Sequence, residues 1–213
     1  MFSKFLKYLC GEIFIKKMVK QRIIEEASEL FGRSGVKSIT MDDLARHLGI
    51  SKRTIYENFK DKEELLIACI KAFHLKSQIF IDQVFLEADN VAEAILVMLR
   101  KDAEQASQRQ LEMIEDIRKY YPRVYKVHLS CFQDDKFRKF EEMLKRGIGE
   151  GVFRDSLNPE IICTFFCNFT YLDNYLNKFT LSDVFENLAL TFLRGICTAK
   201  GLEIIDRYKN HVP

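Results

Sequence analysis

The side chains best suited to chemistry lie between Thr40 and Leu65, and the chemistry they suit is recognition rather than catalysis. Lys52, Arg53, Thr54, Tyr56, Glu57 and Asn58 fall on the outward side of a short segment. Ile50, Ile55 and Phe59 of the same segment are placed to plug the space between helices. Ammonium, guanidinium, hydroxyl and amide groups in such a row are those that bind phosphate oxygens and base edges. A basic face alone is what any solvated helix carries. The ordered frame around it argues for DNA. Ala45 is small enough for two helices to cross closely, and Gly49 allows a turn between them without a Cβ penalty.

Other chemistries find little to work with. There is no nucleophile elbow, phosphate loop or carboxylate pair with a base, so an enzyme is not expected. The six cysteines include no CxxC pair, and His47, His74, His128 and His211 have no ligand spacing. Neither a metal nor a cofactor is expected. Cys163 and Cys167 stand four apart on one helical face, which fits either a redox pair or two small core residues among Phe165, Phe166 and Phe169.

The elements that must hold these residues read as helices throughout. Nine Gly and three Pro leave long stretches unbroken, and the class is all-α. Ile23, Ala27, Leu30 and Phe31 mark a first helix from about Val19 to Arg33, stopped at Gly35. Thr40 caps a second helix, Ser51 a third that runs through Phe59, and Asp61 with Glu64 a fourth that reaches about Glu87. Further helices run from Asn90 to about Ser107, around Met113 to Tyr121, from Arg123 to Arg146, from Asn158 to Lys178, and from Ser182 to Thr198. Residues 1–17 form an extension with two open readings: the product of an upstream start codon, or an amphipathic arm packed on the helices. The extension is too short and too charged to span a bilayer, and a cytoplasmic location is expected.

Charge is uneven along the chain. Residues 1–62 carry 13 basic and 8 acidic side chains, a net +5, while the remainder carries a net −3. A basic first third suits a part that meets phosphate.

With those residues in view, the sequence resembles the tetracycline-repressor (TetR) family of bacterial regulators. Ile23–Thr40 follows the pattern ILxxAxxLFxxxGxxxxT, with Ile24 in place of the frequent leucine, and Ser51–Leu65 follows SKxTxYxxFxxKEEL. GEGVFRDSLNPE at Gly149–Glu160 is similar to the stretch many members place before their last two helices. The resemblance implies a three-helix DNA-binding head with a helix-turn-helix at 18–62 and a helical ligand-binding, dimerising body at 63–213. It implies that Thr40 and Ser51 hold phosphates from helix N-termini. Lys52, Arg53 and Thr54 would open the recognition helix towards the major groove, with Tyr56, Lys60 and Lys62 at the DNA backbone and Asn58 close by. The partners implied are double-stranded operator DNA, a second copy of the chain and a small-molecule effector, with the ligand-responsive regulator acting as a repressor.

For the body, an apolar effector pocket is expected from Phe80, Val84, Met113, Ile117, Phe132, Phe140, Phe165 and Phe169. A homodimer interface is expected from Tyr171, Tyr175, Leu188, Phe192 and Ile196 on the last two long helices. Two alternatives stand beside the regulator: a helical-bundle adaptor for a protein partner, and a redox-sensing regulator using Cys163 and Cys167.

Overall fold

The structure is a computed structural model that describes residues 2–105, 108–169, 187–188 and 190–210. Among these, every element is a helix: α1 (Phe2–Ser34), α2 (Met41–Leu48), α3 (Lys52–Asn58), α4 (Lys62–Glu87), α5 (Val91–Gln105), α6 (Gln108–Tyr120), α7 (Pro122–Gly149), α8 (Pro159–Phe169), α9 (Leu190–Ile196) and α10 (Ala199–Asn210). The chain divides into two compact units, one of Met1–His74 with Gln108–Leu129, the other of Leu75–Ser107 with Ser130–Pro213.

The first unit is built on the stripe of α1. Ile23, Ala27 and Phe31 are buried, and they meet Leu44 and Leu48 from α2, Ile55 from α3 and Leu65 and Leu66 from α4. Gly35 closes α1 at φ +79, a left-handed conformation that side chains resist. This unit is larger than the three-helix head expected from the motif. Ile117 from α6 and Val124 from α7 are buried in the same core, with Met113 packed against it.

α1 itself begins at Phe2 rather than near Val19. No capping residue or proline interrupts the run, so the helix continues through the extension. Phe14, Ile15 and Met18 are 64%, 62% and 59% exposed, so at these positions the arm does not pack on the other helices.

The second unit gathers Val91, Ile95 and Leu96 of α5, Leu144 of α7, Cys163 of α8, Leu193 and Ile196 of α9 and Ile205 of α10. A polar staple holds its edge. Arg146 Nε donates to Glu150 Oε1 at 2.6 Å and its Nη1 to the Phe85 carbonyl at 2.8 Å. The other Glu150 oxygen accepts the Val91 N–H at 2.9 Å, so the end of α7 caps the start of α5.

The expected last helix to Thr198 needs correction. α9 stops at Ile196, because Cys197 pairs with Phe153 in an isolated antiparallel bridge. Thr198 then starts a further helix, accepting from Gly201 N at 3.3 Å and donating to the Gly151 carbonyl at 2.8 Å. Thr198, expected near the end of one helix, instead caps the next.

Phe153 lies flat against Gly147, where a Cβ would sit 2.2 Å from the ring. The ring is only 1% exposed and has nowhere to go. Gly147→Ala is therefore expected to destabilise the protein by roughly 1–3 kcal/mol, read as a lower midpoint in urea unfolding.

Candidate nucleic-acid interface

A seven-residue helix such as α3 is too short to be stable alone, so its position is set by what it packs on. Ile55 is fully buried and Phe59 is 1% exposed, both in the first core. With that side sunk, Lys52, Arg53, Tyr56 and Glu57 are left exposed on the other.

Local hydrogen bonds fix both ends of the motif. Asp43 N donates to Thr40 Oγ1 at 3.1 Å, and Thr40 N donates to Asp43 Oδ2 at 3.0 Å, a reciprocal box around the start of α2. The Thr40 hydroxyl, helped by its N–H, holds the Asp43 carboxyl below its ordinary value. That contribution is present above the ordinary carboxyl range and is lost as acid protonates Asp43. Asp43 was not singled out in the sequence, although threonine followed three residues on by an acid is the signal for it. Gly49 ends α2 at φ +65, and Ile50 N donates to the Ala45 carbonyl at 3.1 Å across the turn. Ser51 Oγ accepts from Thr54 N at 3.0 Å and lies 2.8 Å from Thr54 Oγ1.

The outward charges are held in pairs. Lys52 Nζ lies 2.7 Å from Asp42 Oδ1, and the hydrogen bond to Asp42 raises the Lys52 pKa. The same ammonium sits 5.9 Å from the Tyr56 ring centre. Arg53 Nε donates to Glu57 Oε1 at 2.8 Å.

Three expected contacts sit differently from the others. Asn58 is half-buried, and its amide donates to the Thr54 carbonyl at 2.8 Å, turned back on its own helix. Lys60 is exposed while its backbone N–H is taken by Glu64 at 2.7 Å. Lys62, expected at the DNA backbone, points inward. Its ammonium donates to the Val36 and Ile39 carbonyls and lies 5.7 Å and 5.6 Å from the Phe31 and Tyr121 ring centres. It ties the start of α4 to the loop before α2, a role that only the folded chain reveals.

The profile of the family described as "Bacterial regulatory proteins, tetR family" matches residues 23–69, the stretch that forms this motif. Residues 23–69 are thus similar to the N-terminal domain of TetR-family regulators. It is 27% identical to an HTH-type transcriptional regulator of Staphylococcus aureus over 186 residues, covering 79% of this chain and 95% of that one. Two solved structures share the fold. The ketosteroid transcriptional regulator KstR2 of Mycobacterium tuberculosis aligns at TM-score 0.56 and 18% identity, over 84% of this chain and 95% of that one. The regulator FadR of Bacillus subtilis, solved with stearoyl-CoA, aligns at TM-score 0.63 and 17% identity, over 83% and 98%. The matched stretch and these relatives support a TetR-family transcriptional regulator, and in this chain a helical body follows the helix-turn-helix.

The residues expected around an effector are divided between the two units. Met113 and Ile117 belong to the core of the first unit, beside the helix-turn-helix. In the second unit Val84 is buried, Phe80 lies under the Lys101 ammonium at 3.1 Å, and Phe140 stands 6.5 Å from Phe192. Phe165 is 56% exposed and stacks on Phe192 at 6.1 Å. Of the expected dimer contacts, Leu188 and Phe192 are half-buried. Ile196, at 3% exposure, is spent in the subunit's own core and has little surface to offer a partner. Tyr171 and Tyr175 lie outside the described residues, as do the side chains of Phe132 and Phe169.

Burial pushes Cys69 and Cys197 up to about 11, and Cys163 has no exposed surface. Among the described residues no group of three or more His, Cys, Asp or Glu could hold a metal ion, and no helix is long and apolar enough to cross a membrane.

The caps should be measurable apart from any DNA. Thr40→Ala is expected to cost about 1 kcal/mol of stability, as a lowered melting temperature with helical content kept. An unchanged melting temperature would mean the reciprocal box contributes nothing.

Proposed function

We propose that this protein is a ligand-responsive repressor that binds a palindromic operator as a homodimer in the cytoplasm and is released by a small, mostly apolar effector. The observation that carries the reading is the exposed row Lys52, Arg53 and Tyr56 on a helix whose opposite side is buried and whose N-terminus is capped. Thr40 and Ser51 stand at the N-termini of α2 and α3, where helix ends favour phosphate. A single short helix reads few bases, and two copies on one duplex face double the contact.

For assembly, α8 presents Ile161 and Phe165 at 66% and 56% exposure, with Phe165 stacked on Phe192 of α9. Exposed apolar surface of this kind supports an interface with a second copy. For the effector, the support is the apolar content of the second unit together with two structural relatives, a ketosteroid transcriptional regulator and a FadR solved with stearoyl-CoA. Coupling of about 1–3 kcal/mol would change DNA affinity by roughly 5–150-fold.

The test is binding to a duplex carrying the promoter of the protein's own gene. Lys52→Ala and Tyr56→Ala are expected to weaken binding while keeping helical content, and loss of one phosphate contact should shallow the salt slope by about one unit. Wild-type affinity in both variants would move the DNA face elsewhere. Phe192→Glu is expected to yield monomers or aggregates in sedimentation. A normal dimer would place the interface on other residues.

A further inference from the structure

The side of α1 that packs on the helix-turn-helix does not end where the core ends. Phe31, Ala27 and Ile24 recur at alternating steps of four and three along the buried stripe. The next two positions of that series are Lys20 and Lys17, with Lys16 one turn before Lys20. All three lysines are exposed. The stripe thus turns from apolar to basic as it passes the edge of the core. Lys20 Nζ stands 5.0 Å from the ring centre of Phe59, the residue that caps the C-terminus of α3. The basic turn therefore starts beside the end of the recognition helix.

These lysines differ from most other cations of the head in having no carboxylate or carbonyl partner among the described residues, Lys20 meeting only the Phe59 ring. Lys52 is held by Asp42, Arg53 by Glu57, Arg46 by Asp43, and Lys62 by two carbonyls. Arg22 donates to the Leu48 carbonyl and Lys37 to the Tyr120 hydroxyl. Among the described residues no carboxylate comes within ion-pair range of Lys16, Lys17, Lys20 or Lys60. A paired cation must give up its partner before it neutralises a phosphate, whereas an unpaired ammonium has only its water to lose.

We propose that Lys16, Lys17 and Lys20 of α1 form a second phosphate-binding surface, outside the helix-turn-helix, that grips the DNA backbone next to the site read by α3. The occupant is duplex DNA, because three exposed positive charges with no carboxylate partner among the described residues adjoin a helix whose free face already suits DNA. The inference rests on the DNA-binding reading and adds residues to it. Contacts of this kind carry no base information, so they would strengthen specific and non-specific binding alike.

The experiment measures affinity for a random-sequence duplex against salt concentration, using the full chain. Each phosphate contact contributes about 0.9 to the slope of log affinity on log salt, so Lys16→Gln/Lys17→Gln/Lys20→Gln should shallow it by about 2–3 units. The matching triple change to Arg should restore the slope, and both variants should keep wild-type helical content and melting temperature. An unchanged slope in the Gln variant would overturn the proposal while leaving the recognition helix in place. A wild-type protein that binds no duplex at low salt would overturn both. Lysine-dependent pelleting with vesicles of phosphatidylserine and phosphatidylcholine, with the DNA slope unchanged, would give the surface to a membrane and sink the DNA assignment.

Discussion

The burial of Ile55 and Phe59 is the constraint on which the rest of the head depends. α3 spans seven residues and makes too few internal hydrogen bonds to hold itself together. Its stability comes from two side chains sunk into a core shared by α1, α2 and α4. Full burial of such side chains stabilises by roughly 1.5–3 kcal/mol each, which matches the scale of a short helix's deficit. Once they are seated, the rotation of α3 about its axis is fixed, and so is the identity of the exposed row. Lys52, Arg53 and Tyr56 face outward because Ile55 and Phe59 cannot.

The surrounding polar groups refine that placement. Thr40 with Asp43, and Ser51 with Thr54, settle the orphan amides at the two helix starts. Lys62 draws the loop at Val36 and Ile39 onto the start of α4, so the second helix begins where the fourth can brace it. The outward ions are paired on the surface, Lys52 with Asp42 and Arg53 with Glu57. Surface pairs of this kind are weak and screened, and phosphate can replace the carboxylate at small cost. In the proposed function, the head would present these cations in order before DNA arrives.

The sequence made the helix-turn-helix legible because its signals are local. A cap, a glycine at positive φ and a plug residue each act within a few positions, and all three read correctly at Thr40, Gly49 and Ile55. What it hid depends on distant parts of the chain. Met113 and Ile117 read as body residues by position, yet α6 folds them into the first core. Lys62 reads as one more surface cation until the carbonyls of Val36 and Ile39 come within reach. α10 was hidden because Thr198 looks like a terminus until Gly151 and Gly201 show what it bonds to. Asp43 was legible and overlooked.

In the proposed function the exposed row on α3 reads duplex DNA in two symmetric copies. Hydroxyl-radical footprinting of the promoter of the protein's own gene tests it most directly. Two protected patches are expected on one face of the duplex, centred one helical turn (~34 Å) or a multiple of it apart. A single protected patch, or even cleavage along the promoter at low salt, would contradict it.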